Sequence, residues 1–266
     1  MPLTPLPRPL TRPGLELQGA ALATVIARSL TLVAALWILG ARERMIELRL
    51  PDLGQLWDSW RRLLHIGGPA AGAKLLVPLS VGVLTRMVAE HGPHAVAAYG
   101  VGQRMESLVL IGVGALGSAT TPLVGQNYGA GNCGRVREAT TFSVKAALVW
   151  GAAVAVLLAL VGGPVARTFN EQPEVVALAK SYIWIVPVSY GVYGAALVVI
   201  EVLNAVNRPM QAVAVIAVRL LLLAIPLAWA GSLLWGAPGI FVGISAANLL
   251  VGLVAALLVL RLFRSL

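Results

Sequence analysis

The sequence predicts an all-α integral membrane protein of about seven transmembrane helices, and three observations carry the prediction. Hydrophobic residues make up 58% of the chain and charged residues 12%, with a mean hydropathy of +0.85, which leaves too little polar surface to cover a soluble globule. A hydrocarbon core about 30 Å thick takes roughly 20 apolar residues per helix. Stretches of that length recur near 19–40, 63–89, 95–123, 139–162, 176–203, 210–233 and 237–260. The longest segment between them, 41–62, has no room for a soluble domain.

Residues 1–18, MPLTPLPRPLTRPGLELQ, carry five prolines and read as an extended leader outside the membrane. A secretory h-region runs about 7–15 residues to a small-residue cleavage site. The apolar run GAALATVIARSLTLVAALWIL is longer and is followed by charges, so 19–40 reads as a true span. In 41–62, Arg42, Glu43, Arg44, Glu47, Arg49, Asp52, Asp58, Arg61 and Arg62 accompany the pair Trp57 and Trp60. That mixture predicts an amphipathic helix on the membrane surface, joining two bundles. Residues 63–260 then form a six-helix lobe, and 261–266 a tail.

The net charge of +9 does not point to nucleic acid, because the basic residues sort by side of the membrane. Arg42, Arg44, Arg49, Arg61, Arg62, Arg135, Arg137, Arg208, Arg261 and Arg264 fall on one face, and Arg8, Arg12, Arg167 and Lys180 on the other. The positive-inside rule makes the first face cytoplasmic, with the C-terminus inside. Arg28, Lys74, Arg86, Arg104, Lys145 and Arg219 lie within spans or at their ends.

The stretch GQNYGAGNCG contains Gly129, Gly131 and Gly134 at G-x-G-x-x-G spacing. That fingerprint needs a strand before it, a helix N-terminus facing a pyrophosphate, and an acid about 20 residues on. Here a long apolar segment precedes it and AVAVLLAL follows, so no dinucleotide cofactor is implied. The stretch reads instead as a cytoplasmic turn. Gly125, Gly129, Gly131 and Gly134 let helices approach and turn, and Gln126 and Asn127 can cap exposed backbone groups. A role in inward-facing gating is the functional alternative.

One cysteine, Cys133, excludes an internal disulfide and a cysteine-rich metal site. His65 sits at a helix end. His91 and His94 with Glu90 read as an ordinary wet turn, and no metal is expected. No G-x-S-x-G, P-loop or H-E-x-x-H occurs, so no enzyme chemistry is indicated.

Two acids lie within spans. Glu106 is twelve residues past His94, roughly 18 Å at 1.5 Å per residue, near mid-bilayer. Tyr99, Gln103 and Glu106 share one helix face, while Arg104 points elsewhere. Lys74 and Arg86 on the preceding helix are its candidate basic partners. A mid-membrane carboxylate is a candidate proton or cation site, or a buried lock between two helices. Glu201 closes a stripe of Tyr190, Tyr193, Leu197, Glu201 and Asn204, on a helix that Pro187 can kink. It reads either as an interfacial snorkelling acid or as a liner of the substrate path.

QGAALATVIARSLTLVAAL from Gln18 aligns loosely with PGIFVGISAANLLVGLVAA from Pro238. Such a pairing makes the first and last helices equivalent members of a parallel repeat. PLVGQNYGAGN after a long helix, TRMVAEHGPHAVAAYGVGQRMESL before it and GAALATVIAR near the start occur in the order and spacing of one family. With these motifs the chain resembles the multidrug and toxic compound extrusion family of cation-coupled exporters, from about Gly14 to Arg264.

The resemblance implies a twelve-helix fold of two six-helix lobes, of which this chain holds the last helix of the first and all of the second. It implies export of amphipathic, cationic drugs or metabolites from the plasma membrane by alternating access, driven by protons or sodium. A second copy or a separate N-terminal lobe is the expected partner. A lipid-linked oligosaccharide flippase of similar architecture and a non-transporting fragment are the alternatives. Known branches carry a carboxylate on the first helix of this lobe and another on the helix of Tyr193. This chain has only Lys74 on the former and no acid at Tyr193, which argues for protons over sodium.

Overall fold

The computed structural model describes residues 16–42, 52–169 and 172–265. Every regular element among them is helical. The chain forms two compact units, Met1–Trp60 and Arg61–Leu266.

In the first unit, α1 (Glu16–Trp37) runs into a π-helical segment, Ile38–Arg42. Leu22, Leu30, Val33 and Trp37 are exposed, as suits a helix surrounded by lipid or by other protein. The leader and residues 43–51 of the expected surface linker lie outside the described residues. From Leu53 the structure differs from expectation. The linker's second half does not stand apart but opens α2 (Leu53–Ala89). No proline or glycine punctuates 55–66, so nothing halts a helix there.

In the second unit, α3 (Pro93–Gly129) and α4 (Cys133–Phe169) each have 37 residues, about 55 Å of helix. That exceeds the hydrocarbon thickness, so their ends reach the headgroup region. Helices α3, α5 (Pro173–Ile185) and α7 (Pro209–Ala217) open on a proline, whose missing N–H has no partner at that position anyway. α5 and α6 (Tyr190–Ala205) form one crossing interrupted by a 3-10 turn, Pro187–Ser189. Pro187 has no N–H to continue the helix, and the Ser189 hydroxyl donates to the Val186 carbonyl at 2.7 Å.

α7 continues through a π-helical segment, Val218–Ala224, into α8 (Ile225–Ser265). The stretch Pro209–Arg264 spans 56 residues, far more than one crossing needs. It folds back at Gly236, whose φ of 63° and ψ of −142° only glycine adopts readily. A Cβ on Gly231 would meet the Gly239 carbonyl, and one on Gly243 would meet Leu227 and Ala228. These two contacts define an antiparallel hairpin. Among the described residues, five helical stretches are long and apolar enough to span. Dividing the last at Gly236, and adding the shorter apolar run Leu75–Ala89 of α2, recovers the seven expected crossings.

α6 packs against α3, α4, α7 and α8, and small residues let it do so. A Cβ on Gly151 of α4 would strike the backbone of Gly191, the close approach that membrane helices use in place of a hydrophobic driving force. Buried Thr120 and Ser143 add a 2.7 Å hydroxyl pair between α3 and α4. Arg137 near the start of α4 donates to the Phe263 carbonyl, satisfying a free carbonyl in the last turn of α8.

Candidate functional site

The site lies where α3, the broken α5–α6 crossing, the π-helical segment and the second arm of α8 bring polar groups together. Glu106 is buried, 8% exposed. Its partner among the described side chains is not Arg86. Tyr182 of α5 donates its hydroxyl hydrogen to Glu106 Oε2 at 2.6 Å. Arg86 and Arg104 are exposed, and the side chain of Lys74 lies outside the described residues. The tyrosine wins because α5 packs directly on α3. A Cβ at Gly102, one turn before Glu106, would strike the Tyr182 ring, so glycine makes room for it.

The predicted face of α3 is intact: Gln103 Nε2 donates to the Tyr99 hydroxyl at 3.0 Å. Tyr99, Tyr182 and Phe241 form an aromatic trio, with centroids 6.1, 6.4 and 5.1 Å apart. Its edge-to-face pairs favour a fixed arrangement. Buried Tyr190 and Tyr193 also lie within the electrostatic reach of Glu106. The carboxyl group is thus ringed by phenols, which can donate to an oxygen or face a cation with a π surface.

Arg219 joins the same cluster, and the sequence reading did not single it out. Its guanidinium lies over the Tyr193 ring at 3.8 Å and its Nε donates to Asn248 Oδ1 at 2.9 Å. Asn248 Nδ2 in turn donates to Ser189 Oγ at 2.9 Å. Tyr99 and Tyr193 each feel both Glu106 and Arg219. The available signal was an arginine within an apolar run, VRLLLLA, since intramembrane charge marks function by default.

The stripe expected along α6 divides. Tyr190 and Tyr193 turn toward this cluster, whereas Glu201 faces α3, where Thr121 Oγ1 donates to it at 3.4 Å. Glu201 lines a cleft of about 190 Å³ with Gly114, Gly117 and Ser118. Asn204 is exposed. Eight residues on a helix advance it about 80° past two turns, which separates Tyr193 from Glu201.

In the turn after α3, Gly131 has φ 73°. The Asn132 N–H donates to the Asn127 carbonyl at 2.8 Å, and the Asn127 side chain donates to the Leu123 carbonyl at 2.8 Å. The Gln126 side chain is exposed. A Cβ on Gly125 would make only ordinary contact and one on Gly129 none, so the tight helix approaches lie elsewhere. His91 and His94 diverge. The first bonds Ser232 in the α8 hairpin, and the second meets Gln172 just before α5 and Glu174 in its first turn.

Comparison with known proteins gives one consistent picture. The family model described as MatE matches residues 69–230. An FAD transporter of Shewanella oneidensis is 36% identical over 250 residues, covering 94% of this chain and 55% of the relative. A probable multidrug resistance protein of Bacillus subtilis, YpnP, is 24% identical over 231 residues, covering 87% and 52%. The crystal structure of the Vibrio cholerae MATE transporter VcmN in its bent form superposes with a TM-score of 0.82 at 30% identity, over 93% of this chain and 56% of that one. The chain spans about half the length of the relatives it matches.

Proposed function

The chain belongs to the MatE family, and from that premise we propose that it forms the lobe of an ion-coupled exporter in which Glu106 takes up and releases the coupling proton. Members of the family are multi-pass membrane transporters and not enzymes. The observation that carries the proposal is a buried carboxyl group within the long apolar helix α3, held by a phenol and by no basic side chain among the described residues. A permanent salt bridge would lock the carboxylate in one charge state, whereas a tyrosine hydroxyl can donate to the carboxylate or accept from the acid.

Alternating access in repeat-built transporters is the rocking of one lobe against another around a site between them. Transport by such a lobe therefore calls for a second lobe facing it. The turn at Gly125, Gln126, Asn127, Gly129 and Gly131 is the proposed hinge on the cytoplasmic side, and Glu201 with Asn204 the proposed lining of the path. The proposed substrates are small amphipathic organic compounds, and proton coupling is preferred to sodium. The named relatives include both a probable multidrug resistance protein and an FAD transporter.

The test is reconstitution in liposomes with an imposed pH gradient. Efflux of a fluorescent organic cation faster than in empty vesicles, and lost in Glu106→Gln, supports the reading. Wild-type pH dependence in that variant would make Glu106 structural.

A further inference from the structure

Arginine inside a bilayer is costly and is normally neutralised by a protein carboxylate. The ion pairs identified among the described residues, His94–Glu174 and Arg135–Glu138, lie at helix ends. Neither involves Arg219, which is ten residues into its crossing from Pro209, about 15 Å deep. Among the described residues no ion pair within 4.0 Å joins Arg219 to Glu106, which accepts from Tyr182, or to Glu201, which accepts from Thr121.

The guanidinium is nonetheless held firmly. The chain Arg219–Asn248–Ser189 fixes Nε, with Asn248 and Ser189 fully buried, and the Tyr193 ring supports its flat face. Nη1 and Nη2 have no hydrogen-bond partner among the described residues. A planar fork with one edge anchored and the other free is preorganised for two-point binding of a phosphate or carboxylate. The residue sits in a π-helical segment, a departure from α-helix that recurs at functional sites.

We infer that Arg219 is the anion-binding subsite of the transport cavity, and that the substrate is a dipolar organic molecule with a phosphate or carboxylate at Arg219 and a hydrogen-bond donor or cationic end toward Glu106. The inference rests on the exporter reading above and names its substrate class. Tyr193, whose ring lies 3.8 Å from the guanidinium, and Tyr99, bonded to Gln103 on the helix face of Glu106, supply the aromatic walls for a flat ring system. Proton uptake at Glu106 then competes with the donor end, while Arg219 selects for the anion.

Riboflavin and riboflavin 5′-phosphate share one ring system with an imide N–H and differ in a phosphate, so they separate the two poles. Binding of each to the purified chain in neutral-lipid nanodiscs is followed by flavin fluorescence, with inorganic pyrophosphate as a competitor. The phosphate ester should bind at least about tenfold more tightly, the equivalent of one charge-assisted hydrogen bond, and pyrophosphate should displace it. Arg219→Gln should erase the preference while keeping the pH dependence of binding, and Arg219→Lys should retain part of it. Glu106→Gln should do the reverse, losing the pH dependence and keeping the phosphate preference, so failure of the proton site is distinguishable from failure of the anion site. Equal affinity of the wild-type chain for the two flavins, or an undiminished preference in a folded Arg219→Gln, would overturn the inference.

Discussion

Tyr182 and Glu106, 76 residues apart in sequence, meet through a 2.6 Å hydrogen bond that ties α5 to α3. The bond is short and buried, and it leaves the carboxyl group without a basic partner among the described side chains. Replacing Tyr182 with Phe keeps the ring and its contact with Phe241 but orphans the carboxyl oxygen. The expected loss is about 1–3 kcal/mol, read as a lower midpoint of thermal unfolding in detergent. An unchanged midpoint would mean that water replaces the phenol at no cost.

Glu106→Gln keeps the size and most hydrogen-bonding capacity of the side chain but cannot change charge. In the assembled transporter this variant should fold normally and export at a rate independent of external pH. Tracking dye efflux across a series of pH values settles the point.

The hairpin at Gly236 brings Gly231 and Gly239 so close that a Cβ on Gly239 would overlap the Gly231 carbonyl. Gly239→Ala should cost about 1–3 kcal/mol by forcing the two arms apart. Reduced recovery of monodisperse protein and a lowered unfolding midpoint are the expected signs.

Gly129 offers the contrast, because a Cβ there meets nothing within 4 Å. Gly129→Ala should be neutral or stabilising, by up to about 1 kcal/mol from helix propensity. If the turn is a hinge, transport falls although stability does not. Equal transport in that variant removes Gly129 from the gating proposal.

The bias of basic residues predicts that a reporter fused after Leu266 is cytoplasmic and one inserted at Gly92 is external. Paired phosphatase and fluorescent-protein fusions read the two sides. An internal Gly92 fusion would reverse the assignment.

By itself the sequence determined the membrane class, the helical crossings and the placing of Glu106 inside a long apolar helix, because these depend on local length and composition: about 20 apolar residues per span and 1.5 Å of rise per residue. The break at Pro187 was legible for the same reason, since a missing N–H is a property of one residue. What it did not determine was which side chains meet. Arg86 looked like a partner for Glu106 by helix register, yet it is exposed and Tyr182 holds the carboxyl group, because a glycine at 102 lets α5 close on α3. Tyr193 and Glu201 looked like one stripe, yet α6 is surrounded by helices on several sides and presents each residue to a different neighbour. The network from Arg219 through Asn248 to Ser189 joins residues on three separate stretches of helix. Only tertiary packing decided these contacts, since they depend on the angles and distances at which whole helices settle, and those are set by small residues spread along the chain rather than by the polar residues themselves.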